Sequence, residues 1–416
     1  MGNVLGRQRR FIIVAVTGLL VGAAVLGWLA LRARQPGQSQ PGGATLASAI
    51  ADIENGRLTT PLVSAGGSGS EAVVTFLAKR RGSDVPRIVS DVTGWGEHID
   101  GTFDFTAGTM ARVGQTDWYL LQAAVAPAAR IEYLIAYGQT DYQLDPHNPR
   151  QSTGGELGGL RAAEFVTPGY VPPPELEDPP VSPGGRTTEA TIESRALGGA
   201  SRVIVHTPAG YRRDRSYPAA VFLDLRSAHV ARVIDWLISR QAIEPIVAVF
   251  VGPASRGSRF PEGEPLRAFL AGDLLAWVAS RYSVTKHASE RAIIAISYGA
   301  KDALDAATSP PEAFGRLALL LPGRRLQQAD IDVFAARCGH RLRVSILAGQ
   351  YDWANLPTAR SVRFALCRSG HAVDYVEVPE GHSAVTWIHH VRKVLVSLFG
   401  RATTKPLPVD VPCPSA

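Results

Sequence analysis

One serine stands where an apolar strand runs directly into a helix, a position from which its hydroxyl can act as a nucleophile. The tract 294–300 reads IAISYGA, so Ser297 has a small residue two positions away on either side. In a nucleophile elbow the serine lies at a strained turn, and small neighbours let the hydroxyl stand clear of the sheet. The helix that follows favours negative charge at its N-terminus. Because the usual pattern GxSxG has become AxSxG, this prediction depends on finding a base and an acid as well.

A histidine and an aspartate supply these two groups in the order that α/β-hydrolases use, which is serine, then acid, then histidine. Asp352 follows the strand-like run 342–348, and His382 follows the run 373–378. Open α/β sheets place their sites at the carboxyl ends of their strands. We therefore predict Ser297 as nucleophile, His382 as general base and Asp352 as the acid that orients the base. The alternatives are that Asp352 caps a helix and that His382 is an ordinary loop residue.

Acyl transfer also needs two N–H donors for the oxyanion of the tetrahedral intermediate. In this fold one donor is the backbone of the residue after the nucleophile, here Tyr298, and the other lies in the loop after an early strand, here at Leu225. Should Asp352 lie out of reach of His382, another acid must serve. The candidates are Asp224, Glu262 and Glu380.

Alternating strands and helices from residue 185 onward predict the scaffold for these groups. The predicted strands are 201–206, 219–223, 246–251, 291–296, 342–348 and 373–378, and the predicted helices are 230–238, 266–282, one from residue 298, 357–367 and 385–399. Continuously apolar strands between helices are typical of a mostly parallel sheet covered on both faces. The predicted fold class is thus an α/β hydrolase over residues 185–400, followed by a tail at 401–416.

The preceding part of the chain has a different pattern. Short strand-like runs separated by Gly, Pro and Asp predict a small β-sandwich of the immunoglobulin-like type over residues 60–170. A polar linker at 35–59 precedes it, with apolar residues at helical spacing over 45–58. The proline-rich stretch 171–184 is a stiff linker or a packed-down connector.

An uncharged apolar segment at residues 11–31 predicts a membrane anchor, since a helix of about 20 residues spans the hydrocarbon layer. Arg7, Arg9 and Arg10 precede it and Arg32 and Arg34 follow it. This excess before the helix predicts a single pass through the cytoplasmic membrane, with residues 1–34 as stub and anchor and the catalytic domain outside the cytoplasm. A cleaved signal peptide is the alternative, although its apolar region is usually shorter, at about 7–15 residues.

Composition excludes several other classes of protein. The 416 residues carry a net charge of +6 and are 19% charged. Apart from Arg7, Arg9 and Arg10 the basic residues form no run and are not interleaved with aromatics, so we expect no nucleic-acid partner. The three cysteines form no CxxC pair and no HExxH occurs, so we expect no metal and no cofactor. Cys338 and Cys367 each end a helix before neighbouring strands, which predicts a disulfide between them, the alternative being two buried free cysteines.

Taken together, the motifs resemble the enterochelin (ferric enterobactin) esterase family over nearly all of the chain beyond residue 70. The matching stretches are Val73–Phe76, Thr116–Tyr119, Asp145–Pro149, Gly185–Glu189, Phe222–Asp224, Arg259 with Glu262, and Gly381–His382 followed by Trp387. The resemblance implies a small-molecule ester substrate of the ferric siderophore type. It also implies substrate-binding residues at Arg226, Arg259, Glu262 and Trp387.

Some positions depart from the pattern of that family. Leu225 and Ala300 stand where the family has glycine, Ser383 stands where it has aspartate, and the cytoplasmic members lack an anchor. Three functions therefore remain open. The chain is an extracytoplasmic serine ester hydrolase, an acyltransferase of the same fold, or a binding protein that has kept the fold without the activity.

Overall fold

The computed structural model describes residues 43–65, 71–98, 100–152, 161–255, 259–309, 312–337 and 339–401. The predicted anchor at residues 11–31 lies outside these ranges, as does nearly all of the predicted tail. Among the described residues, no helix combines the length and the apolar character that a membrane crossing requires. Anchoring by residues 11–31 therefore stays a prediction.

Residues 62–166 form two antiparallel sheets, which we call the β-sandwich. One sheet has the order β1-β2-β5-β4 and consists of β1 (Leu62–Ala65), β2 (Ala72–Lys79), β5 (Trp118–Val125) and β4 (Ala111–Arg112). The other has the order β3-β6-β9-β8, with β7 also paired to β6, and consists of β3 (Pro86–Ser90), β6 (Arg130–Tyr137), β9 (Ala162–Val166), β8 (Gln151–Ser152) and β7 (Asp141–Gln143). Their inner faces share one core, in which the Phe76 ring lies 5.1 Å from Tyr133 and 5.7 Å from Phe165, edge to face.

Two segments predicted as linkers pack against the domains. Helix α1 (Gly43–Glu54) lies within the predicted linker 35–59, and its Ile50 and Ile53 pack on the outer face of the β-sandwich. In the proline-rich stretch, α2 (Pro174–Glu177) buries Glu175 fully, and Glu175 forms an ion pair with Arg392 at 3.0 Å. Of the two alternatives for residues 171–184, the packed-down connector is therefore the one observed.

An eight-stranded sheet forms the centre of the second region, the hydrolase domain. Its strands are β10 (Arg186–Ser194), β11 (Gly199–Thr207), β12 (Ala219–Phe222), β13 (Val247–Pro253), β14 (Arg291–Ile296), β15 (Arg316–Leu320), β16 (Arg343–Gly349) and β17 (Ala372–Val378), in the order β10-β11-β13-β12-β14-β15-β16-β17. The prediction of a mostly parallel sheet needs a correction, because the sheet is mixed. Strands β12 to β17 are parallel, whereas β10 pairs antiparallel with β11 and β11 with β13. The turn 195–198 between β10 and β11 is too short for the crossover that a parallel pair needs.

Helices cover both faces of this sheet. They are α3 (Ser227–Ser239), α4 (Glu264–Ala268), a π-helical segment (Phe269–Leu274) running into α5 (Leu275–Arg281), α6 (Ala300–Thr308), α7 (Gln328–Arg337), α8 (Leu356–Arg368) and α9 (Ala384–Phe399). Alternate strand residues face opposite cores: Ile293 packs with residues of α4 to α8, and Ile294 with residues of α3 and α9. This burial on both faces explains why the strands are apolar at successive positions.

Cys367, near the end of α8, is disulfide-bonded. Its partner lies outside the described residues, as do both Cys338 and Cys413. The strands β16 and β17 are parallel neighbours, which is the arrangement on which the prediction of a Cys338–Cys367 bond rests.

Candidate active site

Ser297 is the first residue after β14, and it adopts a left-handed backbone conformation with φ of 48°. A non-glycine residue in this region is strained, and such strain is common where a side chain must be presented for reaction. The turn is also tight: a Cβ at Gly299 would lie 3.4 Å from the Cβ of Ala295. The elbow therefore accommodates alanine at position 295, and the turn is intact although the sequence reads AxSxG and not GxSxG.

His382 joins the serine and the acid. Its Nε2 lies 2.7 Å from Ser297 Oγ, and its Nδ1 lies 2.7 Å from Asp352 Oδ2. Asp352 is buried, and its second oxygen accepts a hydrogen bond of 2.7 Å from the Asn355 side chain. With the ring proton on Nδ1 facing the carboxylate, Nε2 is the acceptor for the serine hydroxyl. The three predicted residues are thus brought together in the geometry of a nucleophile, a base and an orienting acid.

The alternatives for these residues do not fit the structure. The N-cap of α8 is Asn355 and not Asp352. The three substitute acids are engaged elsewhere: Asp224 with Arg226, Glu262 with Arg325, and Glu380 with Arg130. Asn355 also connects the acid to a neighbouring loop, which the sequence did not indicate. Its side-chain nitrogen donates to Asp352, and its side-chain oxygen accepts a hydrogen bond of 2.8 Å from the backbone N–H of Arg324.

Leu225, whose backbone N–H is a predicted donor to the oxyanion, is a bulky residue in the loop after β12. A Cβ at Gly252 would lie only 2.6 Å from Leu225 Cδ1, so the Leu225 side chain is accommodated because residue 252 has none. The next backbone N–H, that of Arg226, already donates to Asp224 at 2.7 Å. Leu225 and Tyr298 remain the predicted donors.

Tyr298, next to the nucleophile, has a guanidinium close to its ring from each of two arginines. The Cζ atoms of Arg259 and Arg325 lie 3.8 Å and 4.1 Å from the ring centre. The Tyr298 hydroxyl donates to Glu262 at 3.3 Å, and Arg325 forms ion pairs with Glu262 at 2.6 Å and Asp302 at 2.8 Å. The hydrogen bond from Arg325 lowers the pKa of Glu262. The predicted residues Arg259 and Glu262 therefore contact the side chain of Tyr298, which follows the nucleophile, and Arg325 is an additional cation there that the sequence did not indicate.

The prediction of Trp387 as a substrate-binding residue is wrong. Its side chain is 2% exposed and belongs to the core between the sheet and helices α3 and α9. The indole instead supports Arg226, whose Cζ lies 4.9 Å from the ring centre. Arg226 is itself half-exposed and paired with Asp224 at 2.6 Å, so it remains available at the surface of the site.

A glycine and an arginine after β15 connect the nucleophile to the β-sandwich. The backbone N–H of Gly323 donates to the Ser297 carbonyl at 3.2 Å, and a Cβ on this glycine would lie 3.6 Å from Ser297 Oγ. The neighbouring Arg324 forms an ion pair with Glu97 of the β-sandwich. Phe103 pairs with Glu97 through the backbone and stacks on Phe105, 6.3 Å between ring centres, and both rings are exposed. Two exposed aromatic rings of the β-sandwich are thus connected, through Glu97, to the residue that follows Gly323.

This arrangement can carry out acyl transfer by nucleophilic attack of a serine. Within the described residues no group of three or more His, Cys, Asp or Glu side chains could hold a metal ion. The charge of Arg226 is balanced by Asp224, and that of Arg325 by Glu262 and Asp302. Arg259 contributes a positive charge on the ring of Tyr298, the residue that follows the nucleophile.

Comparison with known proteins agrees with the chemistry of the site. Residues 194–327 match the model of a family described as putative esterase. No curated protein matches the chain. The ferric enterobactin esterase of Salmonella typhimurium is similar with a TM-score of 0.62 and 18% identity, over 81% of this chain and 96% of that chain. The enterobactin esterase of Shigella flexneri, solved in the presence of enterobactin, is similar with a TM-score of 0.63 and 20% identity, over 81% of this chain and 95% of that chain.

At these identities the solved structures show a shared fold. The resemblance to enterochelin esterases is therefore confirmed at the level of the fold, which includes the β-sandwich because the match covers 81% of the chain. The family match confirms the prediction of a carboxylic ester hydrolase.

Proposed function

We propose that this chain, whose hydrolase domain is of the esterase type, hydrolyses a small-molecule carboxylic ester through an acyl-enzyme on Ser297. The observation that carries the proposal is the pair of 2.7 Å contacts that His382 makes with Ser297 and Asp352. A histidine bonded on both sides in this way is held in the tautomer and orientation that a general base needs.

The steps follow from the geometry. His382 Nε2 takes the hydroxyl proton as Ser297 Oγ attacks the ester carbonyl carbon, and Asp352 stabilises the imidazolium that forms. The oxyanion accepts hydrogen bonds from the backbone N–H groups of Tyr298 and Leu225. The tetrahedral intermediate collapses, the C–O bond to the alcohol breaks, and His382 returns the proton to the leaving oxygen. Water, activated by the same histidine, then hydrolyses the acyl-serine.

Charge and aromatic surface support a substrate of the siderophore trilactone type, such as a ferric catecholate. Arg259, on the ring of Tyr298, can attract an anionic group, and Phe103 and Phe105 offer exposed rings on which an aromatic acyl group can stack. The Shigella flexneri relative of the same fold was solved with enterobactin present. Leu225 narrows the loop beside the oxyanion, so we expect the acyl group to differ in shape from the one used by relatives with glycine at this position.

The proposed location is the outer side of the cytoplasmic membrane, with residues 11–31 as a single-pass anchor. The excess of arginines before this segment supports that orientation. The disulfide bond at Cys367 also supports it, since such bonds persist in oxidising compartments. A reporter fused after Ala416 tests the topology: activity of a periplasm-dependent reporter is expected, and activity of a cytoplasm-dependent reporter alone contradicts the proposal.

The activity is tested by assaying the purified chain against a panel of aryl esters and a catecholate trilactone, with Ser297→Ala as the matched control. We expect hydrolysis by the wild type only, together with labelling of Ser297 by a fluorophosphonate. Product analysis with an added alcohol separates the acyltransferase: transfer to the alcohol in preference to water would favour that alternative. Absence of both labelling and turnover would favour a non-catalytic binding protein.

A further inference from the structure

A buried arginine of the β-sandwich reaches into the loop that carries the general base. Arg130, the first residue of β6, has a side chain that is 2% exposed. Within its own domain it forms ion pairs with Glu132 at 2.9 Å and Glu164 at 3.0 Å. Its remaining donors cross to the hydrolase domain, where Nε lies 3.0 Å from Glu380 and Nη2 lies 3.1 Å from Ser383.

These two contacts lie on either side of His382 in the sequence. Glu380 precedes the histidine by two residues, and its carboxylate is 1% exposed and also bonded to His390 at 2.6 Å. Burial alone would raise the pKa of Glu380, but the hydrogen bond from His390 and the charge of Arg130 lower it to about 2. Ser383 follows His382 directly and caps α9 by accepting from Thr386. The segment 379–383 is therefore anchored on both sides of the base by a single guanidinium.

Between those anchors, a second β-sandwich residue lies against the backbone of the same segment. A Cβ on Gly381 would lie 1.8 Å from Asp91 Oδ1, so Asp91 is in contact with the residue immediately before His382. Asp91 is in turn fixed within the β-sandwich, where its carboxylate accepts from the Glu132 backbone at 2.7 Å and from the Trp95 indole at 2.9 Å.

The loop that carries the acid is held in the same way. Tyr351 accepts a hydrogen bond of 2.8 Å from the backbone of Ala126, and the Trp353 indole donates to the backbone of Asp91 at 2.8 Å. Both neighbours of Asp352 thus contact the β-sandwich. The two loops also contact each other, because Tyr351 N–H donates to the Glu380 carbonyl at 3.1 Å. We call residues 350–353 and 379–383 the acid–base loops.

A purely structural interface would need these contacts to be numerous but would not need them to lie next to the two catalytic side chains. Here four of the positions that touch the β-sandwich, Tyr351, Trp353, Gly381 and Ser383, are immediate neighbours of Asp352 or His382. Small displacements of a base relative to its nucleophile have large kinetic effects, on the order of 10²-fold for about 1 Å.

We propose that the β-sandwich positions the general base, with Arg130 as the positioning residue that holds His382 at hydrogen-bonding distance from Ser297. The inference rests on the proposed function, because it assigns a role within the same reaction. It adds to that reaction a residue from the other domain that touches neither substrate nor reacting atoms.

The test compares three variants of the full chain on one aryl ester. Arg130→Met removes the guanidinium, Arg130→Lys keeps the charge without the planar fork, and Arg87→Met is the matched control. Arg87 is also buried in the β-sandwich, and among the described residues its guanidinium bonds to the carbonyls of Ala107 and Gly138 in that same domain. We expect Arg130→Met to lower kcat on the order of 10²-fold with KM unchanged, Arg130→Lys to recover part of the loss, and Arg87→Met to keep wild-type kcat.

A spectroscopic readout separates positioning from general loss of stability. The proton between His382 Nδ1 and Asp352 is expected to give a downfield ¹H NMR resonance in the wild type and in Arg87→Met, and a weakened one in Arg130→Met. Equal kcat in folded Arg130→Met and wild type would overturn the inference, whereas a wild type that hydrolyses no ester would overturn the proposed function instead. Should Arg130→Met fail to fold, Tyr351→Phe and Trp353→Phe each remove one contact with the β-sandwich. Unchanged kcat in both would overturn the inference, and a lowered kcat at constant KM would support it.

Discussion

The two halves of the candidate site are built in different ways. The nucleophile is positioned by its own domain: β14 leads into Ser297, α6 follows, and Gly323 after β15 bonds its carbonyl. The acid–base loops, in contrast, are held by a domain more than 200 residues earlier in the chain, through contacts such as Arg130 to Glu380, which are separated by 250 positions. A strained turn can be encoded by a few adjacent residues, whereas the position of the base depends on how the cores of two domains meet.

The strongest test of the nucleophile half is Ser297→Ala. Removing the hydroxyl is expected to lower kcat on the order of 10⁶-fold, since oxyanion stabilisation and binding alone would remain. The thermal unfolding midpoint should not fall, because alanine keeps the Cβ and the same backbone turn and removes only the hydroxyl that contacts His382. Steady-state kinetics measure kcat, and thermal unfolding followed by circular dichroism measures the midpoint. Near wild-type turnover by the variant would show that Ser297 is not the nucleophile.

Asp352→Asn tests the acid in the other half. The amide presents a donor as well as an acceptor to His382 Nδ1, which favours the wrong tautomer, so we expect kcat to fall on the order of 10⁴-fold. Substrate affinity should be kept, because the carboxyl is buried behind the histidine. Asp305→Asn is the control, since Asp305 is also buried but pairs with Arg267. A variant that retained full activity would show that another group orients the base.

A pair of glycine substitutions compares the halves directly. Gly381→Ala places a Cβ 1.8 Å from Asp91 Oδ1, so the loop beside His382 must move, and we expect a loss of activity on the order of 10²-fold. In Gly323→Ala the nearest protein atom is Ser297 C at 3.5 Å, an ordinary contact, so Ser297 need not move and the loss of kcat should be smaller than in Gly381→Ala. Adding Asp91→Ala to Gly381→Ala makes space and should restore part of the activity. Equal losses in the two single variants would contradict the distinction between the halves.

The smallest expected effect is a pH dependence of stability at the same boundary. Burial, and then the charge of Glu132, raise the pKa of Asp91 from 3.8 to about 7. A raised folded-state pKa means that protonated Asp91 contributes its full stability below the unfolded pKa, and that this contribution is lost as the pH rises through about 7. Asp91→Asn mimics the protonated form. The free energy of unfolding, measured by urea denaturation, should therefore become larger for Asp91→Asn than for wild type as the pH rises from about 4 to about 7. A difference that stays constant with pH would show that Asp91 does not titrate in this window.

Local signals were enough to predict much of the fold and the three central side chains. The elbow around Ser297, the turns after β16 and β17, and the apolar strands all depend on residues adjacent in sequence. The strand Arg316–Leu320 is not among the predicted strands, although its apolar run RLALL is a clear local signal. The mixed sheet was missed because pairing direction depends on the length of the connection between β10 and β11, not on the strands themselves.

The surroundings of the site could not be predicted from spacing. Asn355 and Arg325 belong to an ordinary cap and an ordinary polar loop in the sequence, and only the meeting of distant segments brings them to the acid and to Tyr298. Trp387 was assigned to the substrate because the resemblance carries no information on which face of α9 is buried. Arg130 has no local signature at all, since its partner Glu380 is fixed by the contact between the two domains.

The accommodation of Leu225 by Gly252 has a consequence for the history of this chain. Because a Cβ at position 252 would lie 2.6 Å from Leu225 Cδ1, neither position can change freely while the other stays as it is. A glycine at 225 would release residue 252 to carry a side chain, whereas a branched residue at 225 fixes 252 as glycine. We therefore expect the two positions to covary among descendants of a common ancestor, so that leucine at 225 is inherited only together with glycine at 252.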